Sequence, residues 1–208
     1  MLALPSRVPG PWPVRRRGFS LVEALMALSV TVLAGAVLLL SVESTLQTTT
    51  EAVQRTIADG IAQQTLNEIL AKRYVDVGES GDGTGSAPLG PTAWEASGTG
   101  TERFNDIDDY NGLSQTPLKG EYGEALGTGD DQGNLRLDNF RLRGDYFQNW
   151  RRRVQVYYVD PNNPSTGCNA GTSFRAIEVN VELIDANGAV HPLATRKRII
   201  AYVTPFTS

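Results

Sequence analysis

Four carboxylates in this 208-residue chain stand out because of what surrounds them. Glu23 opens an apolar stretch whose next 19 residues, Ala24 to Val42, carry no charge. An ionised carboxylate inside a membrane-competent segment costs about 2.5 to 3.5 kcal/mol on insertion scales, so Glu23 demands a partner or a purpose. Asp106, Asp108 and Asp109 lie together in the stretch Phe104 to Gly112, and clustered oxygen ligands suit a hard cation such as calcium. The spacing departs from a helix-loop-helix calcium site, which wants oxygen ligands at its first, third and fifth places and glycine at its sixth. Counted from Asp106, those last two places are Tyr110 and Asn111. A solvated Asx-rich turn closed by Asn111-Gly112 is the favoured reading, with the three aspartates as the calcium alternative. Other reactive groups are scarce, since Cys168 and His191 are the only cysteine and histidine. One cysteine excludes an internal disulfide and a cysteine-built zinc or iron-sulfur site. No nucleophile, base or metal set is assembled, so the chain reads as a non-enzyme without a cofactor.

The elements that position Glu23 come first in the chain. Residues 1–14 include Pro5, Pro9, Pro11 and Pro13, which exclude a helix there. Arg15, Arg16 and Arg17 follow and abut the apolar run, which measures about 28 Å as a helix, close to the bilayer core. Cations before such a run hold that end in the cytoplasm and place the rest of the chain outside. A secretory signal peptide would be cut after the run at small residues, and Val42-Glu43-Ser44 offers a poor site. A plain signal anchor fits the hydropathy and leaves Glu23 unexplained.

The order Arg15-Arg16-Arg17-Gly18-Phe19-Ser20-Leu21-Val22-Glu23, with Ala24 to Leu28 after it, resembles the class III signal of type IV pilins and type II secretion pseudopilins. The resemblance implies cutting of the Gly18-Phe19 bond by a membrane peptidase and methylation of the new Phe19 amine. Glu23 then becomes the fifth residue of the mature chain and meets the N-terminal amine of a neighbouring subunit. It also implies a pilin-like α+β fold, other pilin subunits, prepilin peptidase and an inner-membrane assembly platform as partners, and passage from a single-pass inner-membrane form to a periplasmic or cell-surface filament. Asp108-Asp109-Tyr110-Asn111-Gly112 resembles a segment that follows the long helix in minor pilins of the mannose-sensitive haemagglutinin type. The disulfide-closed C-terminal loop of many members has no counterpart here. A minor pseudopilin of type II secretion and a signal-anchored extracytoplasmic binding module are the alternatives.

Beyond the leader, residues 1–18, a helical spine is expected over 19–75, membrane-spanning at about 20–42 and amphipathic at about 44–74. Leu46, Val53, Ile57, Ile61, Leu66, Ile69 and Leu70 recur at helical spacing and define its packing stripe. Thr48-Thr49-Thr50, Gly35 and Gly60 weaken helix propensity, and a break into two helices near Thr48 is the alternative. Residues 76–148 form a Gly- and Asp-rich loop region, with Trp94 as its bulky anchor and a short strand or edge at Leu135 to Leu142.

An antiparallel sheet of three or four strands is expected over 149–208, closing the globular head with 44–75. Its clearer strands are Arg152 to Val159, Ala176 to Ile184 and Leu193 to Val203. Asn187-Gly188 joins the last two as a hairpin. The runs Arg151-Arg152-Arg153 and Arg196-Lys197-Arg198 read as solvated edges or cross-strand partners of Glu178 and Glu182. The four arginines of residues 1–18 are the only charges there, and without them 15 basic side chains face 23 acidic ones. So acidic a body offers nucleic acid no grip.

Overall fold

A computed structural model describes residue 18 and residues 20–75, 89–129, 134–143, 145–169 and 171–202. The chain falls into two units, one up to Thr50 and one from Glu51 onward. Helix α1, Leu21–Leu70, contributes to both and is 50 residues long.

In the first unit, α1 has the length and apolarity to cross a membrane, with a mean hydropathy of 2.5 in its most apolar window and none of that window buried. Its hydroxyls do not break it. Ser29 Oγ donates to the Leu25 carbonyl and Thr31 Oγ1 to that of Ala27, both at 2.8 Å. Thr48, Thr49 and Thr50 likewise donate one turn back, to Ser44, Thr45 and Leu46. Hydroxyls satisfied on their own helix cost little in an apolar setting, so the expected weak point near Thr48 remains helical.

In the second unit, Ala58, Ile61, Ala62, Thr65, Leu66 and Ile69 of α1 are buried. Their offsets of three, four, seven, eight and eleven residues trace one helical face. The packed face starts later than the sequence suggests, since Val53 is half exposed. After Leu70 the backbone leaves the helix to join a loop: Arg73 N–H donates to the Asn105 carbonyl and Ile107 N–H to that of Arg73. These two bonds explain why the helix stops short of Tyr74.

The sheet has five strands, β1 (Ser114–Gln115), β2 (Trp150–Asp160), β3 (Asn163–Gly167), β4 (Phe174–Ile184) and β5 (Val190–Ala201). Their order is β1-β2-β4-β5, with β3 pairing the far end of β2, and every pairing is antiparallel. Val154 sits opposite Val179 and Val156 opposite Ile177. This apolar face shares one core with the buried stripe of α1. Burying each such side chain contributes roughly 1.5 to 3 kcal/mol. At the expected hairpin, the Asp185 carboxylate accepts the N–H groups of Asn187 and Ala189, and Gly188 takes φ +81°. That backbone conformation favours glycine.

Three expectations fail. Leu135 to Leu142 is not a strand: Leu135 bridges Gly129 once and Asp138–Phe140 forms a 3-10 turn. The Asp138–Arg141 ion pair at 2.6 Å and a bond from Phe140 N–H to the Leu137 carbonyl close that turn against extension. Trp94 anchors nothing in the core; it is 65% exposed beneath the Arg103 guanidinium. The sheet gains β1 and β3, two short strands that no alternation announces.

Candidate functional site

Two places gather polar chemistry, the start of α1 and the junction between its end and the sheet. At the first, Ser20 precedes the helix, and its Oγ accepts the Glu23 N–H at 3.2 Å. Ala24 N–H donates to the Ser20 carbonyl, the first intrahelical bond. Ser20 is thus the N-cap and Glu23 the third helical residue, the Ser-x-x-Glu pattern of a capping box. A carboxylate in the first turn also meets the positive end of the helix dipole. Gly18 and Glu23 are exposed. Arg15, Arg16, Arg17 and Phe19 lie outside the described residues. The sequence motif carried this capping signal, and the reading of Glu23 as a membrane carboxylate passed over it.

At the junction, Asp106 to Tyr110 are buried and only the closing Asn111-Gly112 reaches solvent, so the stretch is not a solvated turn. Asp106, Asp108 and Asp109 are each below 5% exposed. Asp106 Oδ1 accepts the N–H groups of Asp108 and Asp109 at 2.7 and 3.1 Å. Asp109 Oδ2 accepts those of Asn105 and Asp106 at 2.7 and 3.2 Å. Two aspartates therefore hold one another's backbone. Asp108 points elsewhere, to Arg175 Nη2 at 2.7 Å, with both side chains buried. Among the described residues, no three acidic, histidine or cysteine side chains are grouped to hold a metal ion.

The next three residues fasten the loop to the helix and the sheet. Tyr110 donates its hydroxyl to Glu68 Oε1 of α1 at 2.7 Å, and its ring meets Phe104 edge-on at 5.0 Å. Thr101 donates to the same Glu68 oxygen at 3.0 Å. Asn111 accepts the Val156 N–H and donates to the Leu89 carbonyl. Gly112, at φ +82°, donates its N–H to the Val154 carbonyl. Each residue of Asp108-Asp109-Tyr110-Asn111-Gly112 thus has a separate structural task.

Two buried arginines complete the junction. Arg175 is fully buried, donates to the Tyr74 carbonyl and stacks its guanidinium 4.4 Å from the Tyr74 ring. Arg152, expected on a solvated edge, is 6% exposed. It donates to Thr65 Oγ1 of α1, to Gln115 Oε1 and to the Lys119 carbonyl. The two outer arginines of that run do meet the cross-strand carboxylate Glu182, Arg151 at 2.6 Å and Arg153 at 3.8 Å. Arg196 pairs instead with Asp59 of α1. Alternation along β2 could have identified Arg152, which shares a face with Trp150, Val154 and Val156.

Burial sets the electrostatics of this junction. It pushes the Asp109 carboxyl up to about 7, against the backbone bonds that favour its ionised form. It raises the Tyr74 phenol to about 12, opposed by the nearby Arg175 charge. Tyr110 is raised by burial and then by Glu68, while burial lowers Arg152. The arrangement can hold a helix, a loop and a sheet together; it assembles no nucleophile with a base.

Compared with known proteins, the chain matches no protein family, no curated protein and no solved structure. The junction also borders an open cavity of about 410 Å³ lined by Thr65, Glu68, Lys119, Glu121, Leu126 and Arg152. At its wall, Arg152 already has three neutral acceptors.

Proposed function

We propose that the chain is a minor pilin or pseudopilin, cut between Gly18 and Phe19 and built through its N-terminal helix into a type IV pilus-like filament or its priming complex. The observation that carries this reading is the contrast along α1. From Ala58 to Ile69 the helix is buried at every turn by its own head. In the first unit, Leu21, Met26, Leu33 and Leu39 are all more than 60% exposed. Apolar surface of that extent needs lipid or other helices to cover it. A lipid anchor needs only apolar residues, whereas Glu23 adds a carboxylate that lipid alone cannot satisfy.

Cutting at Gly18-Phe19 supplies the missing charge. The new α-amine of Phe19 is largely cationic near neutral pH. In an apolar surrounding it and a neighbouring copy's Glu23 are each costly alone and much less so together. The pair would fix the register of one helix against the next. The leader arginines hold their end in the cytoplasm, which places the head on the far side of the membrane. Other subunits, the processing peptidase and the membrane assembly machinery are the partners this reading requires.

Glu23→Ala separates processing from assembly. Cleavage is expected to proceed as in the parent chain, while recovery in sheared filaments falls by about tenfold or more, because an unpaired buried amine costs several kcal/mol. Equal recovery of parent and variant would refute the charge-pairing role.

A further inference from the structure

The two margins of the sheet are finished differently. Along the outer margin of β2, Val154 exchanges bonds with Gly112 and Leu113, and Val156 N–H donates to the Asn111 side chain. Farther along, the Tyr158 carbonyl accepts the Cys168 N–H. That margin is closed. β5, at the other end of the strand order, pairs with β4 alone among the described residues.

The hydrogen-bond phase shows which groups of β5 are left over. Just beyond the strand, Tyr202 N–H donates to the Ser173 carbonyl at 2.8 Å. In an antiparallel ladder, residues bonded to the same neighbour recur every second position. Ile200, Arg198 and Arg196 therefore bond to β4, whereas Thr195, Lys197, Ile199 and Ala201 turn N–H and C=O outward. On the far side of β4, Ile184 N–H donates to the Asn149 carbonyl, which fixes the same phase independently. Among the described residues, no group bonds to the backbone N–H or C=O of those four positions; the Thr195 hydroxyl is engaged, donating to Asn180 Oδ1 at 2.6 Å.

The open margin is strongly basic in its middle. Arg196 and Arg198 stand opposite Val179 and Ile177, on the face turned to α1, and Lys197 stands opposite Glu178 on the other face. Arg196 is held by Asp59 at 2.7 Å, and the Lys197 ammonium lies 5.3 Å from the Tyr157 ring centroid. Arg198 is exposed, with no ion pair or side-chain hydrogen bond among the described residues. Basic side chains on an edge guard against uncontrolled pairing. They do so selectively: a second β5 laid antiparallel over most of the strand brings six cationic side chains onto neighbouring rungs, whereas an acidic strand meets complementary charge on both faces.

We infer that the β5 margin is a strand-addition site for an extended acidic segment of another protein, and that its basic triplet excludes a second copy of this chain. Main-chain bonds from Thr195 to Ala201 supply the attraction, and carboxylates at successive positions of the incoming strand supply the choice of partner. The inference rests on the sheet alone and stands apart from the filament reading.

The test uses the full chain in detergent micelles and two fluorescent seven-residue peptides, one with three successive glutamates at its centre flanked by valine and threonine, the other with lysines at the same three positions, so that each presents charge to both faces of the margin. Saturable binding of the acidic peptide is expected, with the basic peptide weaker by about tenfold or more, since several cross-strand charge pairs change sign together. Ile199→Pro removes one outward N–H and leaves the bonds to β4, so it should abolish binding. Arg198→Glu should weaken the acidic peptide by about fivefold, and as an exposed, unpaired side chain it tests the site without the strain of a proline. No saturable binding of the acidic peptide, equal binding of both peptides, or binding unmoved by Arg198→Glu overturns the inference. So does disulfide cross-linking of two copies through Ile199→Cys in a Cys168→Ser background.

Discussion

Asp108 and Arg175 form a buried ion pair, and their worth lies in the penalty for separating them. Asp108→Ala leaves a buried guanidinium with, among the described residues, only the Tyr74 carbonyl and the Tyr74 and Tyr158 rings around it. Breaking a buried pair this way costs about 3 to 5 kcal/mol, and a thermal melt of the variant should show it directly. Replacing both partners, Asp108→Leu with Arg175→Met, should recover much of that loss, because an apolar pair carries no desolvation penalty. Tyr110→Phe is milder: Glu68 keeps the Thr101 hydroxyl and loses one charge-assisted bond, about 1.5 to 3 kcal/mol in the same assay. Asp109 should make the head pH-sensitive. Its folded pKa, about 7, lies above its unfolded value, so its contribution is complete below about pH 4 and lost as pH rises through 7. The melting temperature should therefore fall between about pH 4 and 7, and Asp109→Asn should flatten that fall. An unchanged slope in the variant would rule out Asp109 as its source.

At the level of elements, regular alternation was readable and long-range polar contacts were not. Ile177, Val179 and Val181 announce one face of β4, and Asn187-Gly188 announces the turn into β5, because both signals are local. The same alternation misleads at Leu135 to Leu142, where Asp138 and Arg141 close a turn. Asp108-Asp109-Tyr110-Asn111-Gly112 reads as a turn from its residue types. Its partners, half-buried Glu68 and fully buried Arg175, lie 42 and 67 positions away from Tyr110 and Asp108 in the chain, beyond the reach of any spacing rule. Ser20 is the opposite case, a local cap hidden by the louder message of its neighbours. Ser20→Ala should cost about 1 kcal/mol, seen as faster amide exchange over the first turn of α1. Where α1 meets the sheet, Ala62 is fully buried, so Ala62→Leu should overpack the junction and destabilise the head by about 1 to 3 kcal/mol.

For the whole molecule, the account separates a unit that is folded by its own contacts from one that is finished by its surroundings. Among the described residues, every buried apolar side chain lies at Ala58 or later, and from Leu21 to Thr50 the earlier unit is helix without a core. Removing residues 1–50 should therefore leave a head that melts as it does in the full chain, while abolishing membrane association. The function proposed for the bare helix turns on a single bond. Mass spectrometry and N-terminal sequencing of the membrane-associated protein from cells with an active prepilin peptidase test it most directly. The chain should begin at an N-methylated Phe19; one that keeps Met1, or begins anywhere other than Phe19, contradicts the account.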